Sequence, residues 1–321
     1  MKVVGTGKYL PERIMTNAEL EKMVDTSDEW IVSRTGIEER RIAAENESSS
    51  SMGTEAARQA LQEAGLEPTE LDLILLATVT PDAVFPSTAC YIQNELGARN
   101  AAAFDIQAAC SGFLFSLVTA EQYLQSGKYK NILVVGSEKL SSVVDWTDRN
   151  TCVLFGDGAG AVVVQPSQGQ SKLRAYNLGA SGAQHSILYL LNGNTSGPRL
   201  ADKAGPHFMV MEGQDVFKKA VTAMCRSAMK VMKEAGITAD DLTCVIPHQA
   251  NIRIIDAIAD RLGVPAEKRF INVQKYGNIS SACIPVALSE ARDYYGLKSG
   301  DKILLVAFGG GLTWAAAVLE W

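Results

Sequence analysis

A chain of 321 residues, 47% of them hydrophobic, is long enough to bury one large core or two ordinary ones. Its net charge of -6 excludes a global attraction to nucleic acid or to an anionic membrane, so an acidic partner has to be met by a local basic patch. No apolar run reaches membrane-spanning length, the opening MKVVGTGKYLPER lacks signal-peptide character, and six cysteines without a CxxC spacing argue against a disulfide framework or a zinc site; the expected compartment is the cytoplasm and no metal is expected.

In chain order, the polar NESSSSMG reads as a loop before a helix, MGTEAARQALQEAG (52–65), that ends at Gly65. LDLILLATVT (71–80) reads as a strand buried on both faces. FDIQAACSGFLFSL (104–117) sets Cys110 between a short β-like run and a long apolar helix-like run. NILVVGS (131–137) and GAVVVQ (160–165) read as further strands, and the Gly-, Pro- and Asn-rich segment 182–208 as a long surface excursion. A helix at 220–236 ending at Gly236 precedes two more strands, LTCVIPH (242–248) and KILLVAF (302–308). The class is α/β, with layered sheets and helices.

The chain also echoes itself. EAGLEPTELDLILLA (63–77) aligns with EAGITADDLTCVIPH (234–248), LGARNAAAF with LGVPAEKRF, and SGKYKNILVVGSE (126–138) with SGDKILLVAFGGG (299–311). These ordered matches predict two similar α/β halves, 1–167 and 168–321, related by a pseudo-twofold axis. The loop after the strand at 104 then carries Cys110, and the loop after the strand at 270 carries Asn278 in KYGNIS. The strand that ends at Ala77 in one half ends at His248 in the other, so Cys110, His248 and Asn278 all fall at strand ends that such symmetry brings to one seam.

Each residue alone has a plain reading. A free Cys is commonly a small buried hydrophobe, one of three histidines (with His185 and His207) can be a hydrogen-bonded structural residue, and Asn after Gly suits a turn. Together they suit acyl chemistry. A Cys at a strand-to-helix junction meets the positive helix end, which favours thiolate, and a thiolate takes an acyl group as a thioester. His and Asn can donate to a developing oxyanion or enolate, and the backbone of GGG (309–311) can complete an oxyanion hole with the Cys110 amide.

With these segments in view, the chain resembles the β-ketoacyl-acyl carrier protein synthase III family of the thiolase-like superfamily. The resemblance runs from GTGKYLPE to AFGGGLTWAAAVLEW through TNAELEKMVDTSDEWIVSRTGIEERRIA, FPSTAC, AACSGF, FGDGAGAVVV, PHQANIRII and YGNISSACIP. It implies a five-layered α-β-α-β-α thiolase-like fold and a decarboxylative condensation of a short acyl-CoA, acetyl-CoA first, with malonyl-acyl carrier protein. Cys110 would be the acyl-accepting nucleophile, and His248 and Asn278 would stabilise the enolate. The Cys110 and Gly310 amides would form the oxyanion hole. Trp30 and Arg149 would clamp the CoA adenine, with Thr26 and Arg34 nearby; an aromatic face and a guanidinium plane suit that task.

In a basic cluster of Lys218, Lys219, Arg253, Arg261, Lys268 and Arg269, the resemblance assigns Lys218, Arg253 and Arg261 to the carrier protein. It gives Phe85 the closing of the partner subunit's acyl pocket in a homodimer. No cofactor is implied beyond acyl-CoA as substrate. Ile279 stands where many relatives have Thr, and Cys283 where Ser is commoner, which touches the acyl-chain assignment. Alternatives are a synthase III paralogue of secondary metabolism, an acyl-CoA thioesterase using Cys110 and His248, and a non-enzymatic carrier-binding module.

Overall fold

The computed structural model describes residues 1–190 and 208–321, so the excursion expected at 182–208 lies partly, and His207 wholly, outside the described residues. Among the described residues, nine strands build the two larger sheets. The first contains β1 (Lys2–Tyr9), β2 (Leu73–Ala77), β3 (Ala102–Ile106), β4 (Ile132–Lys139) and β5 (Asp157–Gln165), in the order β1-β5-β4-β2-β3. The second contains β6 (Leu173–Ala180), β7 (Cys244–Pro247), β8 (Lys302–Gly309) and β9 (Thr313–Glu320), in the order β7-β8-β9-β6.

Directions match as well as order: β3, β2 and β4 are parallel, β5 runs against them and β1 runs against β5, just as β7 and β8 are parallel, β9 runs against them and β6 runs against β9. The strand expected at 270 is reduced to a single parallel bridge, Val245 to Arg269. Beyond it, the N–H groups of Asn272 and Val273 donate to Gln249 Oε1 (3.0 and 3.2 Å) instead of to a ladder, and the chain turns into Val273–Tyr276.

Helices α1 (Asp28–Thr35), α2 (Ser49–Ala64), α3 (Thr88–Leu96), α4 (Gly112–Gln125), α5 (Gly213–Ala235), α6 (Ile252–Leu262) and α7 (Cys283–Tyr295) complete the layers. Alternation along β2 shows how they stack. Leu73 and Leu75 face a central core with Phe113 and Leu117 of α4, Ile284 and Leu288 of α7, and Ile303 and Leu305 of β8. Ile74 and Leu76 face the opposite way, onto Met52, Ala56 and Leu61 of α2 and Ile92 of α3. On the far side, Val245, Leu304 and Val306 meet Met224 and Val231 of α5 and Ile258 of α6. The result is α-β-α-β-α, with α4 and α7 sandwiched between sheets. Each leucine fully buried this way contributes roughly 1.5–3 kcal/mol.

Two element ends differ from expectation. The serine run is not a loop: Ser48 caps α2, its hydroxyl accepting from Ser51 N–H at 3.3 Å, and Ser49–Ser51 form the first turn. The helix at 220–236 starts earlier, at Gly213, because Val216 and Phe217 extend the same apolar face. Both helices stop where expected, at Gly65 and Gly236 in the left-handed region. No helix among the described residues is long and apolar enough to cross a membrane.

Candidate active site

Two similar elbows meet at the seam between the sheets. After β3 the chain makes a tight turn, Ala109–Ser111, and enters α4; nearer the C-terminus Ser280–Ala282 makes the same kind of turn and enters α7. Ala109 (φ +47°) and Ser280 (φ +48°) are the non-glycine residues with positive φ among those described, so both turns hold a strained backbone. The turns contact each other.

Cys110 lies in the first elbow, 9% exposed. The end of β8 is pressed against it: a Cβ on Gly309 would stand 2.6 Å from the Cys110 amide nitrogen and 3.1 Å from that of Ser111, so only glycine fits. Among the described residues no carbonyl outside its own turn accepts from the backbone N–H of Cys110 or of Gly310, which makes both candidate oxyanion donors.

His248 follows β7, its own N–H continuing the ladder to Val306 O at 2.7 Å. The side chain is 4% exposed and its Nδ1 has no partner among the described residues. Asn278 is set by backbone contacts to the segment before β5, its N–H donating to Leu154 O (2.8 Å) and its carbonyl accepting from Gly156 N–H (3.0 Å). Gly277 makes that path possible with φ +63° and ψ -156°, a region open only to glycine, and a Cβ there would stand 2.8 Å from Leu154 O. Asn278 Oδ1 accepts from Ser280 N–H (2.9 Å), so the amide NH2 is the end left for a ligand.

Cys110, His248, Asn278 and Gly310 line one cavity of about 940 Å³. Trp30, Arg34, Lys218 and Arg253 line it too, whereas Thr26, Phe85, Arg149 and Arg261 do not. Leu188–Tyr189 pairs with Val210–Met211, and Leu188, Tyr189 and Leu190 line the cavity, so this end of the 182–208 segment belongs to the wall of the site.

The electrostatics correct one expectation. Burial pushes the Cys110 thiol up to about 12; a hydrogen bond from Ser280 and the Cys110 N–H pull it down, and the charge of a Glu138 carboxylate would push it further up. The helix end therefore does not hold a standing thiolate. Burial lowers His248 to about 4, so the imidazole is neutral near neutral pH and donates from one nitrogen.

The expected adenine clamp is closed. The Arg34 and Arg149 guanidinium carbons lie 4.8 and 5.2 Å from the Trp30 ring centroid, and Arg149 is also tied to Asp25 through its carbonyl (2.7 Å) and carboxylate (3.5 Å). Thr26 Oγ1 is buried without a partner among the described residues. Phe85 is 84% exposed on the loop before α3.

The basic cluster divides. Lys218, Arg253 and Arg261 are exposed, the latter two on α6 as expected, with Arg253 over the Phe217 ring at 5.8 Å. Arg269 is instead paired with Asp256 (3.2 Å) and Asp260 (2.7 Å), and Lys268 donates to Asp240 O (2.8 Å).

Sequence reasoning missed two buried polar residues. Gln249 is saturated, donating to Pro247 O and Phe270 O and accepting from Asn272 and Val273 N–H, which pins the chain after His248 to the segment leading to Asn278. Glu138, at the end of β4, is fully buried. Its signal was present: a carboxylate closing an otherwise apolar strand, NILVVGSE.

Comparison with known proteins adds to this geometry. A family model described as 3-Oxoacyl-[acyl-carrier-protein (ACP)] synthase III matches residues 104–182, and one for its C terminal matches residues 232–321. The chain is 52% identical over 320 residues to the β-ketoacyl-[acyl-carrier-protein] synthase III of Aquifex aeolicus, covering 100% of this chain and 99% of that one. It is 51% identical over 319 residues to that of Geobacillus kaustophilus, covering 99% and 98%. The crystal structure of the Aquifex aeolicus protein superposes with a TM-score of 0.93 over 100% and 99% of the two chains. The priming β-ketosynthase of the R1128 polyketide pathway gives 0.93 at 38% identity, over 99% and 95%.

Proposed function

The chain belongs to the 3-oxoacyl-[acyl-carrier-protein] synthase III family and condenses an acyl-CoA with malonyl-acyl carrier protein to initiate fatty acid synthesis, and we propose that the residues around the cavity divide that reaction as follows. Cys110 sulfur attacks the thioester carbonyl of a short acyl-CoA, acetyl-CoA foremost. The new carbon–sulfur bond forms as the bond to CoA breaks, and the thiol proton leaves with CoA. Malonyl-carrier protein then loses carbon dioxide, and the electron pair of the broken bond is delocalised onto the thioester oxygen. Neutral His248 and the Asn278 amide donate to that oxygen. The enolate carbon attacks the acyl-Cys110 carbonyl, the Cys110 and Gly310 N–H groups hold the resulting oxyanion, and its collapse releases β-ketoacyl-carrier protein and the Cys110 thiolate, which regains its proton from water.

What supports this division is that two buried neutral donors, His248 and Asn278, line one cavity with the buried thiol. Two neutral donors stabilise a negative transition state without first attracting the carboxylate that must leave. The reading calls on no metal or redox cofactor. It gives the CoA adenine to Trp30 and Arg149 with Thr26 and Arg34 beside them, and the carrier protein to Lys218, Arg253 and Arg261. It also divides the chain into halves at 167/168, gives Phe85 to the acyl pocket of a partner subunit in a homodimer, and places the enzyme in the cytoplasm.

The half-reactions separate in the test. His248→Ala and Asn278→Ala should each lower decarboxylation of malonyl-carrier protein by about 10²–10³-fold, while Cys110 still accepts an acyl mass from acyl-CoA. Loss of acylation with decarboxylation intact reverses the assignment.

A further inference from the structure

Glu138 takes no part in the chemistry above, yet it lies at the seam where both elbows meet. It is fully buried, and no cation pairs with it among the described residues. Oε2 accepts from the N–H groups of Val79 (3.0 Å) and Thr80 (3.2 Å) and from the hydroxyls of Thr78 (3.1 Å) and Thr80 (2.7 Å). Oε1 has a different environment. It stands 2.8 Å from Ser281 Oγ, with the Ser281 N–H at 3.5 Å.

A count of protons decides the charge. Ser281 Oγ is also 2.8 Å from the carbonyl oxygen of Ala77. A hydroxyl has one proton and a carbonyl can only accept, so the Ser281 proton goes to Ala77. The short contact between Ser281 Oγ and Oε1 then needs a second proton, and the carboxyl group is its source. The lack of a counter-ion agrees, as does burial, which raises the Glu138 pKa against the pull of its hydrogen bonds.

We propose that Glu138 is a positioning residue held as a neutral carboxylic acid, whose O–H donates to Ser281 Oγ and locks the Ser280–Ala282 turn against β2 and β4 without setting a negative charge beside Cys110. The locked turn matters because Ser280 N–H orients Asn278, and the Ser280 hydroxyl, buried without a hydrogen-bond partner among the described residues, lies beside both the Cys110 thiol and Glu138. The titratable groups that face Glu138 are Cys110 from the first elbow and Cys283 from the start of α7. Lys139, next on β4, turns its ammonium to the carbonyls of Ala44 (2.8 Å) and Glu47 (2.5 Å). Asp157, opposite Lys139, is occupied by Ser141 and Ala43. The importance of the lock rests on Cys110 being the acyl carrier, but the protonation itself does not.

The test uses the full chain without added acyl-CoA. Infrared spectra near neutral pH should contain the C=O stretch of a protonated carboxyl group that is lost in Glu138→Gln. Alkylation of Cys110 against pH, followed by peptide mass spectrometry, should have the same midpoint in Glu138→Gln within about half a unit, because a neutral amide replaces a neutral acid. No such band, a band that persists in the variant, a midpoint that falls further, or a Glu138→Gln protein that does not fold each overturns the proposal, since the site is said to hold this neutral isostere. Neither readout involves condensation, so failure of the catalytic assignment leaves both interpretable.

Discussion

Near neutral pH the thiol and imidazole closest to the chemistry are both uncharged, Cys110 pushed up to about 12 and His248 down to about 4 by burial. Cys110 alkylation should therefore be slow at neutral pH and climb steadily into the alkaline range; a plateau already reached near pH 7 contradicts a buried thiol. The imidazole also bears on stability. Its folded pKa, about 4, lies below the ordinary 6.5, so the unfolded chain takes the proton first. The contribution of His248 is complete above pH 6.5 and is lost as pH falls toward 4, about 3 kcal/mol in all. Denaturant midpoints should fall more steeply over that window in the parent protein than in His248→Gln; parallel curves would show that His248 is not buried neutral. The candidacy of Cys110, His248 and Asn278 was legible in the strand-end motifs. Their protonation states were not, because burial is produced by elements distant in sequence packing over the site, whereas a helix end is a single element.

Both elbows depend on backbone that a side chain would displace. Gly309→Ala places a Cβ within 2.6 Å of the Cys110 amide nitrogen, and should lower the acylation rate of Cys110 at least about tenfold with far-ultraviolet circular dichroism unchanged. Normal acylation would mean that the end of β8 does not fix the oxyanion site. At this scale the interior strands were legible: LDLILLA and NILVVGS are buried on both faces and show it as continuous apolar runs. The alanine-rich β9, TWAAAVLE, carries little strand propensity and is held by its ladders to β8 and β6. The missing strand at 270 has the same kind of cause, since Gln249 competes for the amides a ladder would need.

Across the whole molecule, matching strand orders explain why Cys110 on one elbow meets Asn278 behind the other, and the internal echo foretold that meeting within the thiolase-like layers. The sequence could not show which cations stay free. Arg253 is exposed at the cavity rim whereas Arg269 is bound to two aspartates. Arg253→Glu should therefore raise KM for malonyl-carrier protein about tenfold while leaving acyl transfer from CoA to Cys110 intact, an effect that weakens as salt is added. Equal losses in both half-reactions would place Arg253 in the CoA site. The most direct measurement is intact-protein mass spectrometry with a panel of acyl-CoAs, Cys110→Ser as control, followed by malonyl-carrier protein. A single short acyl mass, acetyl, should form on the parent protein, be absent from the variant, and be discharged as β-ketoacyl-carrier protein. Acylation that survives in Cys110→Ser, or an acyl group on Cys110 that is lost only to water, would contradict the mechanism.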